Sequence, residues 1–258
     1  MRRMRSIGLA AVAVMTACND YRATAPAAVP PLATVFSATG MIGATVNQFR
    51  AILGTVNGGV AGEQPAGRRE INWDGAVAIP FNNRNDFPAD FFNTTVKAGA
   101  VFTTPGTGFR NDSTLFSEIN PDYAAQFLFF SATNVFAPIG SNQFDQLFQV
   151  AGQPTPALVR GFGVVFSDVD LAGKTTIQLF AQDGSSLGTY SAPVRSDEGG
   201  FSFVGVIFAD PIIARVRITL GTGALGADVN DVSAGGTVDL VVLDNLIYSE
   251  PHNLGRRL

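Results

Sequence analysis

Oxygen-bearing side chains gather at a few places in this chain. Asp168 and Asp170 follow the end of an apolar run, Asp228, Asn230 and Asp231 sit in a Gly-rich stretch, and Asp244 with Asn245 lies in the last apolar run. Calcium takes roughly six to eight oxygen ligands from carboxylates, amides and carbonyls, so Asp168 and Asp170 are candidate ligands of a structural calcium. The EF-hand pattern is not completed there. Asp and Asn also favour turns through bonds to their own backbone, which is the competing explanation. Asn72-Trp73-Asp74-Gly75 is a candidate sugar contact, in which the indole stacks on a ring while Asn72 and Asp74 bond its hydroxyls. The alternative is that the lone Trp belongs to the core. A glycosidase needs two carboxylates facing across roughly 5–9.5 Å, and Glu70 with Asp74 is the one pair to consider. His252, the sole histidine, follows the last apolar run and reads as exposed, which leaves no general base of that type. There is no Gly-x-Ser-x-Gly elbow. Gly58-Gly59 and Gly221-Thr222-Gly223 read as turns rather than phosphate cradles, since no Lys follows them.

The N-terminus reads as an address. Arg2, Arg3 and Arg5 precede an apolar run from Ile7 to Met15 that is too short to span a bilayer, as in an export signal. Met15-Thr16-Ala17-Cys18 then resembles a bacterial lipobox, with Met15 in place of the usual Leu. That resemblance implies a signal peptide over residues 1–17 and a lipid on Cys18, the only cysteine. A sole cysteine makes no internal disulfide, whereas several acyl chains hold a protein firmly to a membrane. Asn19 does not suggest retention at an inner membrane, so the expected location is the bacterial cell envelope, at the outer membrane. Without residues 1–17 the chain keeps 14 basic and 21 acidic side chains, a net charge of −7, and no basic cluster. Nucleic acid is therefore not an expected partner.

These groups need elements to position them. Residues 18–41 are rich in Ala, Pro and Thr and read as a semi-rigid tether. From Thr45 as N-cap, the spacing of Phe49, Ile52, Leu53 and Val56 predicts one short helix, stopped at Gly58-Gly59. Pro121 can open a second helical turn, and Phe127 to Phe130 reads as a strand. Beyond that, short apolar or alternating pieces lie between turn residues. They are Ala100 to Thr103, Phe144 to Val150, Leu158 to Phe166, Thr176 to Phe180, Leu187 to Val194, Phe201 to Phe208, Ala214 to Leu220 and Val238 to Tyr248. Asp183-Gly184 between two of them predicts a hairpin. Many short strands, few helices and 28 glycines point to an all-β protein, an antiparallel sandwich.

The order Gly161-Phe162-Gly163-Val164-Val165-Phe166, Asp168-Val169-Asp170, Phe203-Val204-Gly205-Val206-Ile207-Phe208, Arg215-Val216-Arg217-Ile218 and Val242-Leu243-Asp244-Asn245-Leu246-Ile247-Tyr248 resembles a known group. It is similar to exported bacterial proteins with a jelly-roll domain, akin to the galactose-binding-like and concanavalin-like sandwiches, many of which carry PEP-CTERM sorting tails. This chain has a lipobox in front instead. The resemblance implies a jelly-roll β-sandwich over residues 42–250 with a tail at 251–258. It also implies a structural calcium between an early strand and the final one, where Glu70 or Asp74 would meet Asp244. The expected function is a membrane-anchored, non-catalytic envelope lipoprotein that binds a glycan or another surface component. A self-associating structural or adhesive protein is the second expectation, and a carboxylate-dependent glycoside hydrolase the third.

Overall fold

The computed structural model describes residues 31–195 and 200–253. The lipobox, Cys18 and most of the tether lie outside the described residues. The strands are β1 (Thr34–Thr39), β2 (Arg68–Ile71), β3 (Ala100–Thr103), β4 (Gly108–Asp112), β5 (Val135–Ile139), β6 (Gln143–Phe148), β7 (Ala157–Leu158), β8 (Gly161–Ser167), β9 (Thr176–Phe180), β10 (Ser186–Ser191), β11 (Phe201–Ile207), β12 (Arg215–Thr219), β13 (Val242–Ser249) and β14 (His252–Asn253). Helix α1 spans Gly43–Leu53, and α2 (Phe91–Thr94) and α3 (Tyr123–Gln126) are single turns. Among the described residues no helix is long and apolar enough to cross a membrane.

Two antiparallel sheets pack as a sandwich. One has seven strands in the order β1-β11-β8-β13-β5-β4, with β2 also on β13; the other has five in the order β10-β9-β12-β6-β3. Take β5, β6 and β8 to β13 as strands one to eight. They then run 6-3-8-1 in the first sheet and 5-4-7-2 in the second. That alternation between sheets is the jelly-roll winding. The main core lies between the sheets and is dominated by Phe, including Phe102, Phe136, Phe144 and Phe162.

Strand composition already separates the two sheets. In β9 (TIQLF) and β12 (RVRIT) apolar and polar residues alternate, so one face is wet. β8 (GFGVVFS) and β11 (FSFVGVI) have almost no polar interruption, which requires cover on both faces. Helix α1 supplies it. Val46, Phe49 and Leu53 bury against Val165, Phe203, Ile207 and Ile247 in a second, smaller core. Gly163 and Gly205 face each other in register on β8 and β11. A Cβ at Gly205 would stand 2.7 Å from the Phe49 ring and one at Gly163 2.9 Å from it. Two bare backbones thus form the notch into which Phe49 drops, edge-on to Phe36 and Phe203.

Several expectations need correction. The apolar stripe of α1 is Ile42, Val46, Phe49 and Leu53, while Ile52 and Val56 are exposed. The helix therefore starts before Thr45, with Ile42 as N-cap, and stops at Gly54, whose positive φ of 103° ends it before Gly58. Phe127 to Phe130 form no strand; they leave α3 as irregular chain, pinned by side chains. The Asp183-Gly184 hairpin is present, but only Gly184 takes positive φ. Its N–H bonds Ala181 O at 3.0 Å, a tight turn followed by a glycine bulge. The sheet also begins inside the segment read as tether, since Thr34–Thr39 pairs along β11. At the other end, His252–Asn253 pairs with β7, and His252 Nδ1 lies 3.0 Å from Glu63 Oε1, so the tail is not idle. Glu250, directly after β13, is fully buried. Arg69 clasps both its oxygens at 2.6 Å and donates to the carbonyls of Gly58, Val60 and Lys97.

Filling the notch should be felt directly. Gly205→Val is expected to lower unfolding free energy by about 1–3 kcal/mol, the usual range for overpacking. Urea denaturation of the variant against the parent measures it, and Phe49→Ala should cost less in the Gly205→Val background than in the parent, because the ring and the new side chain compete for one space.

Candidate functional site

Among the described residues no helix covers the outer face of the five-stranded sheet. Register builds it as a grid. Thr103 of β3, Asp145 of β6, Arg217 of β12, Gln178 of β9 and Thr189 of β10 form one row. Val101, Leu147, Arg215, Phe180 and Ser186 form the next. Alternation dictates this, because Ile177, Leu179, Val216, Ile218, Phe144 and Phe148 take the opposite face and are buried.

Asp145 organises the centre. It accepts from Arg215 Nη1 at 2.7 Å and from Arg217 Nε and Nη2 at 2.8 and 3.1 Å. One carboxylate thus holds two guanidinium groups flat on the sheet and leaves an excess positive charge in a protein of net charge −4. The bond to Asp145 raises the Arg217 pKa further above its ordinary value. The Arg215 guanidinium lies 3.7 Å from the centroid of the Phe180 ring, a close cation–π contact. The Arg-Asp-Arg group stands between two depressions. One of about 470 Å³ is lined by Thr103, Thr104, Gln143, Asp145 and Arg217. The other, of about 280 Å³, is lined by Leu147, Pro156, Gln182 and Arg215 among others.

Comparison with protein-family models, with curated proteins and with solved structures found no match to this chain.

The residues singled out in the sequence fall elsewhere. Trp73 is 1% exposed and stacks on Phe136 with centroids 3.8 Å apart, and its indole N–H donates to Asp244 O. Phe87, Phe92 and Phe102 pack around the same ring, and at 1% exposure it leaves no face for a sugar. Asn72 is exposed, and its carbonyl accepts from Ser131 Oγ at 3.1 Å. Glu70 does not meet Asp244. Its oxygens are taken by Arg50, Arg68 and the Asn245 amide, an ion-paired cluster rather than one wall of a cleft.

Asp74 and Asp244 do come together, as fasteners of one loop. Asp244 accepts from the N–H groups of Phe130 and Ser131 at 2.7 and 3.1 Å and from Ser131 Oγ at 2.7 Å. Asp74 accepts from Ala132 and Thr133 N–H at 3.1 and 2.9 Å. Four consecutive amides thus end on two carboxylates. Asp168 and Asp170 lie apart from this pair and join Asp231, with one oxygen of each within 4.8 Å of the others. Asp168 also accepts from Gln126 Nε2, and Asp231 from Ser233 and Leu240 N–H at 2.7 and 2.6 Å. Nearby Asp239, raised by burial, accepts from Asp170 and Leu171 N–H at 3.2 Å. The five candidate calcium ligands therefore divide into an ion-paired Glu70, a loop-fastening pair and two members of an Asp trio.

The residues of the open face, Asp145, Gln178, Phe180, Arg215 and Arg217, escaped the sequence reading. The signal for each strand was present in the alternation of QFDQLF, TIQLF and RVRIT. What aligned them was which strands are neighbours, and those neighbours are far apart in the chain.

Burial pushes the Asp244 carboxyl up to about 6, outweighing its hydrogen bonds, and the neighbouring Asp74 charge adds to the rise. The folded state therefore binds more protons than the unfolded state between pH about 4 and 6. Stability from this group is present below that window and falls as pH rises through it, by about 3 kcal/mol in all. Chemical denaturation across pH 4–7 should show that decline in the parent, and Asp244→Asn should flatten it by the same amount.

Proposed function

We propose that this protein is a non-catalytic binding module of a bacterial cell envelope, lipid-anchored at Cys18, that recognises a glycan on the outer face of its five-stranded sheet. The observation that carries the reading is the asymmetry of the sandwich. One sheet is sealed by α1, and the other presents Asp145, Gln178, Arg215 and Arg217 in register on an open face. Sugars offer adjacent hydroxyls that donate and accept, and planar guanidinium, carboxylate and amide groups match such pairs. Side chains already held by one another lose little freedom on binding, so their contacts are retained as affinity. The resemblance of the apolar strands to jelly-roll domains of exported proteins, and of Met15 to Cys18 to a lipobox, supports the location.

A glycan array probed with the full chain carrying Cys18→Ser, followed by calorimetry on the best hit, tests this reading. Arg217→Ala and Gln178→Ala are each expected to weaken binding about tenfold, or about 1.4 kcal/mol, without loss of fold. An array with no hit, or variants that bind as the parent does, would overturn it.

The same reading gives calcium a structural place at Asp168, Asp170 and Asp231, a set of hard oxygen donors that suits that ion. A ligand bound only by the folded state raises Tm. Millimolar calcium should therefore raise Tm by several degrees over excess EDTA, and Asp231→Asn should remove the difference. Equal melting in both solutions would exclude the ion.

A further inference from the structure

An unpaired strand edge holds a row of unmet N–H and C=O groups. Most edges here are closed by their own chain. Asn83 and Phe87 donate to the carbonyls of Asn111 and Phe109 along β4, at 2.8 and 3.0 Å. Phe102 of β3 donates to Ala89 O at 2.8 Å, and Asn57 and Thr55 exchange bonds with Arg68 of β2 at 2.9 Å. β10 carries a register shift between Ser186 and Gly188, which twists an edge away from partners. β1 has no such device among the described residues.

Its geometry can be followed residue by residue. Gly40 N–H bonds Phe201 O at 2.9 Å, so by alternation Ala38 and Phe36 also bond β11. The amides of Val35, Ser37 and Thr39 therefore point away from the sheet. Their side chains are exposed as well, although their register partners Val206, Val204 and Ser202 are buried. Residues 31–49 contain no charged side chain. Leu32 and Met41, at the two ends of the strand, are 94% and 99% exposed.

We propose that a second copy of this chain pairs with β1 edge to edge, antiparallel, about a twofold axis at Ser37. The two seven-stranded sheets then become one continuous sheet. This register sets Ser37 opposite the partner's Ser37, Val35 opposite the partner's Thr39, and Phe36 opposite the partner's Ala38. The outward amides of each copy meet those of the other, as an isologous contact requires. Met41 comes beside the partner's Ala33 and Leu32, which covers the exposed apolar ends. No like charges face each other across this contact, since residues 31–49 carry none.

Position-specific oxidation tests the register. In full chain carrying Cys18→Ser, Ser37→Cys should form an intermolecular disulfide rapidly, because a hydrogen-bonded antiparallel pair sets the two Cα atoms about 5.5 Å apart. Ser186→Cys, on the exposed edge strand β10, should remain largely uncrosslinked. Sedimentation velocity on the Cys18→Ser chain should show mass rising with concentration, and Val35→Lys should weaken that association at least tenfold. Equal cross-linking at the two positions, or a Ser37→Cys protein that stays monomeric, would overturn the proposal. So would association that Val35→Lys leaves unchanged.

Discussion

The insertion of Phe49 between Gly163 and Gly205 sets the character of the whole sandwich. A sheet can be apolar on both faces only where both are covered, and the inter-sheet core covers one. The aromatic ring of α1 reaches the other because two register-paired glycines leave no Cβ in its way. With that contact, β8 and β11 tolerate runs of Val, Ile and Phe with almost no polar interruption. Without it, the same strands would present a wide apolar surface to water, of the kind that drives association.

The asymmetry follows from there. Only one sheet has a helix to spare, so the other must be soluble by its own sequence, and its strands alternate. The outward positions carry Thr, Asp, Arg and Gln in one row, and Arg215 stands among Val101, Leu147 and Phe180 in the next. Asp145 sits centrally enough to reach two arginines on the neighbouring strand. An exposed ion pair contributes little to stability, typically about 0–1 kcal/mol. Its greater effect here is to hold side chains in one arrangement on a rigid support, which favours recognition.

Acidic residues serve mainly to tie down backbone. Few helices and many connections leave numerous amides without a ladder partner, and each buried one must be met. Asp74 and Asp244 meet those of residues 130–133. Asp112 meets Thr114 and Phe116, in a turn where Leu115 and Phe116 take positive φ. Glu250 and Arg69 tie down the loop after α1, with the guanidinium fully buried and six hydrogen bonds made to carbonyls or to that carboxylate. The clusters of Asp and Asn that stand out in the sequence are thus, for the most part, the fasteners of a loop-rich fold.

Class and most strands were legible in the chain because they depend on local pattern. Alternation in TIQLF, the turn at Asp183-Gly184 and the apolar run of GFGVVF each dictate extended structure over a few residues, and the expected antiparallel sandwich is the fold observed. β1, β2, β4 and β5 were not legible, since short pieces such as RREI and GFRND are strands only through the neighbour they pair with. The same holds for the sites. Type and spacing drew attention to Trp73 and Glu70, but a residue's company is decided by register and packing between segments far apart in sequence. Tertiary structure placed Phe136 against the indole of Trp73 and two arginines around Glu70. It also brought Asp145, Arg217 and Gln178 into one row. Local pattern sets what a segment becomes; only pairing across the fold sets which side chains face one another, because that depends on contacts no short window contains.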